Sequence, residues 1–203
     1  MSPLRAVALN CTLKPGTDTS STDVLLREVL AELHGHGVEV GDPFRVVNHD
    51  VKPGITSDEG SGDEWPMLRS EILDADILVF GTPIWMGQPS SVAKRVLERM
   101  DAFLGETDDD GRMVSYDRVA VVAVVGNEDG AHHVSAEVYQ ALSDVGFTIP
   151  AAAITYWVGE AMQSTDYKDM HPSPDKTRAA TATAAANAAH LAGLLKKSGY
   201  PAG

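Results

Sequence analysis

Apolar residues along the chain follow two rhythms. Runs at residues 4–9, 76–80, 119–125 and 147–155 are short, rich in β-branched residues and almost continuously apolar. Strands covered on both faces read this way, and the pattern predicts the core of a parallel sheet. A fifth run at 38–47 is broken by Gly41 and Pro43, which places it toward an edge. Between the runs the period lengthens. Leu25, Leu26, Val29, Leu30 and Leu33 share one helical face, and Val92, Val96, Leu97, Met100, Phe103 and Leu104 share another. Further helices are predicted over 65–73, through Val134, Val138, Leu142 and Val145, and over the alanine-rich 175–197, where Lys196 and Lys197 suit the negative end of the dipole and Gly199 offers a stop.

Five strands alternating with five helices predict an α/β fold: a doubly wound three-layer sandwich with a five-stranded parallel sheet, in one domain spanning 1–203. Ligands in such sheets bind beyond the carboxyl ends of the strands. That rule selects the loops 10–21, 81–90 and 126–131 and the segment from Tyr156 onward. Residues 51–64, VKPGITSDEGSGDE, read as a polar surface loop rather than a linker.

Composition narrows the classes. A formal charge of −13 repels nucleic acid and anionic membranes, so neither is expected as a partner. No apolar run is long enough for a membrane span, and the N-terminus lacks a leader pattern, so a soluble cytoplasmic protein is expected. The single cysteine, Cys11, rules out an internal disulfide, and no spacing of His and Cys forms a metal signature, so no metal is expected.

The first loop, NCTLKPGTDTSST, gathers Thr12, Lys14, Ser20, Ser21 and Thr22 just before a helix. Hydroxyls, a cation and a helix N-terminus together suit a phosphate; Ser20 or Ser21 serving only as a helix cap is the alternative. In FGTPIWMGQPSS, Pro83 and Pro89 stiffen the chain, Gly87 permits close approach, and Trp85 and Met86 offer broad polarisable surface to a planar ligand, or else belong to the core or a subunit contact. In GNEDGAHH, Gly126 and Gly130 bracket Asn127, Glu128 and Asp129. The glycines let amides face a ligand, while the two acids also suit an ordinary first helical turn. His132 and His133 are adjacent and point to different sides of a helix. Cys11 is either a redox thiol or a half-buried residue under the loop. Tyr156, Trp157, Met162 and Tyr167 wall a pocket or a subunit contact.

Taken together these loops resemble the flavodoxin-like NAD(P)H-dependent FMN reductase and quinone reductase family, over about residues 4–197. Thr12, Lys14, Ser20, Ser21 and Thr22 take the places of that family's phosphate loop, with an Asn10–Cys11 opening, Lys in place of Arg, and a longer loop. Thr82, Pro83, Ile84, Trp85, Gly87, Pro89, Ser90 and Lys94 match its Thr-Pro-Ile-Tyr loop, which lies along the flavin ring. The loop matching Gly126–Gly130 borders the same ring.

The resemblance implies FMN as cofactor, held by Thr12, Lys14, Ser20, Ser21, Thr22, Thr82, Pro83, Ile84, Trp85, Met86, Gly87, Gly126, Asn127, Glu128, Asp129 and Gly130. It also implies NAD(P)H as co-substrate, a quinone or other small molecule as electron acceptor, and a homodimer or homotetramer. No side chain is assigned as catalytic acid or base, because the flavin carries the chemistry. The alternative is a flavodoxin-type electron carrier that binds FMN without direct NAD(P)H turnover. The acidic charge suits it, but the first loop lacks the flavodoxin Thr-x-Thr-Gly-x-Thr form.

Overall fold

The computed structural model describes residues 2–160 and 163–201. The chain runs β1 (Arg5–Asn10), α1 (Ser21–Gly35), β2 (Glu39–Val40), β3 (Phe44–Arg45), α2 (Trp65–Leu73), β4 (Ile77–Trp85), β5 (Gln88–Pro89), α3 (Ser91–Met100), β6 (Val119–Gly126), α4 (Ala131–Asp144), β7 (Ile154–Val158) and α5 (Asp175–Leu195), with short 3-10 turns between. The main sheet is parallel in the order β2-β1-β4-β6-β7. β3 continues the β2 edge further along β1, where Leu9 and Asn10 pair with Phe44 and Arg45. With β2 and β3 counted as one interrupted strand, this is the flavodoxin-like doubly wound order.

Alternate residues of each strand feed opposite layers. Val119, Val121, Ala123 and Val125 of β6 pack with α1 and α5, while Ala120, Val122 and Val124 pack with α2, α3 and α4. This explains why the strands read as continuously apolar: both faces are covered. Small Ala184, Ala185, Ala188 and Ala192 let α5 lie close on its side of the sheet.

Four boundaries depart from the periodicity. α3 closes at Met100, and a 3-10 turn over Asp101–Gly105 follows, burying Phe103 but leaving Leu104 exposed rather than on the expected helical face. β4 runs five residues past Phe80, because its pairing with β6 continues to Pro83 opposite Val125 and then passes to the antiparallel β5. Much of the expected 81–90 loop is therefore a strand ending in a two-residue turn. The fifth core strand lies at Ile154–Val158, later than 147–155. Only Thr148 bridges to Val119 before Pro150, which has no amide to donate, and Ala152, at φ +54°, turn the chain. α5 stops at Leu195, and the Lys196 ammonium reaches Asp76 at 2.9 Å instead of lying free in the last turn.

The 51–64 loop is polar at its surface and anchored beneath. Arg99, from α3, donates to the carbonyls of Lys52 (2.9 Å) and Thr56 (2.9 Å) and to the Asp63 carboxylate (2.7 Å). Its guanidinium lies 5.7 Å from the centroid of the Trp65 ring. None of the described helices is long and apolar enough to cross a membrane.

Candidate functional site

A cleft opens beyond the carboxyl ends of β1, β4 and β6, lined by Thr12, Leu13, Lys14, Ser20, Ser21, Thr22, Pro83, Ile84, Trp85, Val125, Gly126, Asn127, Glu128 and Asp166. Its floor is the loop after β1. The buried Asn10 side chain accepts from the Thr12 amide at 3.1 Å, and the Thr12 hydroxyl accepts from the Lys14 amide at 3.3 Å. Arg45 then clamps the outer loop, donating to the carbonyls of Gly16 (2.9 Å) and Asp18 (2.8 Å). Asn48 both accepts from the Gly16 amide (2.8 Å) and donates to the Gly16 carbonyl (3.1 Å).

The helix start identifies the capping serine. Ser20 is the N-cap of α1: its hydroxyl accepts from the Asp23 amide at 3.1 Å and its carbonyl from the Val24 amide at 3.1 Å. The amides of Ser21 and Thr22 have no acceptor among the described residues. They sit where the dipole is positive, in the wall of the cleft, with Lys14 nearby. The Ser21 hydroxyl accepts from the Lys168 amide at 3.3 Å.

The opposite wall is β4. Pro83, Ile84 and half-exposed Trp85 line the cleft, whereas Thr82 is buried and does not. Thr82 donates to the Pro83 carbonyl (3.0 Å) and accepts from the Ser90 amide (3.1 Å), bracing the base of the hairpin. Ser90, rather than Ser91, caps α3 through the Ala93 amide and also donates to the Cys11 carbonyl at 2.6 Å. Cys11 itself has no exposed surface, and burial pushes its thiol far up, so it is packing and not a reactive thiol.

Met86 and Gly87 make the hairpin turn, with φ of +54° and +73°, the two positive values that a primed turn requires. The Glu128 carboxylate accepts from both of their amides at 3.0 Å each. Glu128 is thus a clamp on the turn rather than an ordinary first-turn acid. Gly130 (φ +125°) comes so close that a Cβ there would lie 3.0 Å from the Gly87 Cα and carbonyl. Asp129 accepts from the Gly130 amide at 2.7 Å; neither it nor Gly130, Met86 or Gly87 lines the cleft. Gly130→Ala is expected to lower stability by about 1–3 kcal/mol, read as a shift in the urea midpoint. An unchanged midpoint would show that the hairpin yields freely.

Gly126 also lacks room for a side chain, since its Cβ would meet the Ile84 Cβ at 2.9 Å. Asn127 donates to the Asp166 carboxylate at 2.9 Å, joining the β6 loop to the late segment. That segment is fastened to α1, where Glu28 accepts from both the Tyr167 and Ser173 hydroxyls. Trp157 packs on Tyr167, with ring centroids 5.5 Å apart, so these aromatics serve the fastening and do not line the cleft. His132 stands edge-on to Tyr156 and His133 lies 3.1 Å from Gln88, both outside the cleft. Met162 falls outside the described residues.

The cleft also includes Leu13, Val125 and Asp166, which the motif reading did not single out. Val125 ends a predicted strand, so the strand-end rule points to it. Leu13 is the one apolar residue between Thr12 and Ser21 other than Pro15. Nothing local marks Asp166, which joins the cleft through Asn127, 39 residues earlier.

The family model described as NADPH-dependent FMN reductase matches residues 4–163. A segment of the divalent metal cation transporter MntH of Mycobacterium bovis is 38% identical over 200 residues, covering 95% of this chain but only 29% of that protein. The chain therefore spans less than a third of that relative's length. The 8-demethyl-8-aminoriboflavin-5′-phosphate synthase of Streptomyces davaonensis is 32% identical over 210 residues, covering 97% of this chain and 80% of the synthase. Among solved structures, RosB with bound 8-demethyl-8-formylriboflavin-5′-phosphate aligns with a TM-score of 0.87 at 32% identity, covering 97% of this chain and 82% of RosB.

Proposed function

The chain belongs to the NADPH-dependent FMN reductase family, and from that premise we propose that its cleft binds FMN and passes electrons from NAD(P)H to a quinone or other small acceptor. At the coarser level the protein is an FMN-dependent oxidoreductase with a nicotinamide co-substrate. The observation that carries the FMN site is the polarity of one cleft. Its α1 end offers the free amides of Ser21 and Thr22 with Lys14 and the hydroxyls of Thr12, Ser21 and Thr22; its β4 end offers the apolar wall Pro83, Ile84 and Trp85. This matches a ligand with a phosphate at one end and a flat ring at the other.

In this reading the first group holds the phosphate and the second borders the ring, with Gly126 and Asn127 along its polar edge. Ser20, Thr82, Glu128, Asp129 and Gly130 shape the loops that do the holding. Bound FMN supplies hydride acceptance and two-electron transfer; the protein's residues bind and orient, and none is assigned an acid or base role. NAD(P)H and a proton are consumed with the quinone, and NAD(P)+ and hydroquinone are released. A homodimer or homotetramer is proposed on the family analogy, with half-exposed Trp85 at the rim of the cleft.

A second reading has its own support. The synthase and RosB similarities, at 32% identity over nearly the whole chain, favour a flavin phosphate as the molecule chemically modified. Anaerobic titration of the FMN-loaded protein with NADPH and then NADH, followed at visible wavelengths, tests reduction, and incubation in air with an amino donor, followed by the mass of the released flavin, tests modification. Bleaching faster than that of free FMN, reversed by a quinone, with flavin of unchanged mass recovered afterward, is the expected result. Flavin bound but reduced by neither donor favours an electron carrier. Recovered flavin of altered mass favours the modifying reading.

A further inference from the structure

Met86 stands out because folding does not account for it. Its side chain is 90% exposed and belongs to neither core cluster. Its backbone sits at φ +54° in the first central position of a primed hairpin turn, where Asn, Asp or Gly fits best and a longer side chain is under strain. An Asn-Gly pair would make the same turn with less strain. The turn is nevertheless held firmly, by the two Glu128 hydrogen bonds at 3.0 Å, and Trp85 beside it lines the cleft with 50% of its surface exposed. Leu13 on the facing loop is 39% exposed. The chain thus fixes an apolar, polarisable side chain in water one residue beyond the cleft-lining Trp85.

We propose that Met86 is a specificity-determining contact for the second substrate: with Trp85 it forms a ledge that receives the ring of an uncharged aromatic acceptor. This rests on the reading that FMN occupies the cleft. The thioether makes favourable contacts with aromatic rings, and the Glu128 carboxylate at the foot of the ledge, with the overall charge of −13, favours a neutral ring over an anionic acceptor. Glu128 is the positioning residue that keeps the ledge raised.

The test begins with fluorescence titration of the wild type with FMN, which reads the underlying flavin assignment alone; no binding there overturns both. Met86→Asn is then compared with wild type using 1,4-naphthoquinone and ferricyanide as acceptors. The ratio of kcat/KM for naphthoquinone to that for ferricyanide is expected to fall roughly fivefold, the size of a lost sulfur–ring contact. The loss should lie mainly in naphthoquinone KM, Met86→Leu, which keeps the apolar bulk but not the sulfur, should recover only part of it, and the melting temperature should not fall. An unchanged ratio overturns the proposal. So does a changed elution volume with both acceptors affected alike, which would assign the ledge to contact between copies of the chain.

Discussion

Truncating Arg99 to alanine is expected to cost the fold about 3–5 kcal/mol, the range for removing one partner of a buried ion pair. The side chains of Arg99 and Asp63 have no exposed surface. Without the guanidinium, the Asp63 carboxylate keeps only the amides of Glu59 (2.9 Å), Lys52 (3.2 Å) and Trp65 (3.2 Å), and the carbonyls of Lys52 and Thr56 lose a donor. Exposed pairs such as Arg27 with Asp42 are worth no more than about 1 kcal/mol, so they form the natural control. Urea unfolding measures the difference, and a loss under about 1 kcal/mol would show that water reaches and solvates Asp63.

The same pair sets an acid limit. Burial pushes the Asp63 carboxyl up, but Arg99 and the three amides outweigh burial and hold it well below the usual carboxylate range. A depressed pKa contributes stability above the unfolded value near 4 and loses it as the pH falls toward the folded value. In Arg99→Ala the main opposing group is gone, so the acid-unfolding midpoint should move to higher pH.

The second large effect concerns the cleft. Lys14→Ala combined with Ser21→Ala is expected to weaken FMN binding about a hundredfold, since each phosphate contact of this kind is worth about 1.5 kcal/mol or more and about 1.4 kcal/mol is a factor of ten. The structure sharpens this test because Ser20, and not Ser21, caps the helix. The cap is therefore kept in the double variant, folding stability should fall by no more than about 1 kcal/mol as the Lys168 amide loses the Ser21 hydroxyl, and a flavin titration reads binding directly. Unchanged affinity would remove these two residues from the phosphate site.

The strands most legible in the sequence were those buried on both faces: β1, β4 and β6 announce themselves because every position meets a helix layer. β7 was displaced because the apolar run at 147–155 contains Pro150 and a turn, and apolar character alone does not distinguish a strand from the buried approach to one. The cleft's two ends were legible for a similar reason. Free amides at a helix start and a proline-stiffened strand end are local features. What stayed hidden was long-range: Arg45 reaching back 29 residues to Gly16, Arg99 reaching 36 to Asp63, and Glu128 reaching 41 to Gly87. Such bonds depend on topology and leave no local periodicity. The acid at 128 therefore read more readily as a helix-start residue than as a ligand contact, and the structure shows a third role, as a clamp.

The Arg45 clamp ties the occupancy of the cleft to the exposed border of the sheet. Its residue belongs to a two-residue strand holding the end of β1 through Leu9 and Asn10, and short edge strands of this kind open easily. A ligand that steadies the first loop steadies Arg45, and with it the edge, by mass action. Losing the ligand releases both, baring strand backbone that neighbouring molecules can pair with. Filling of the cleft and resistance to aggregation are then expected to rise and fall together.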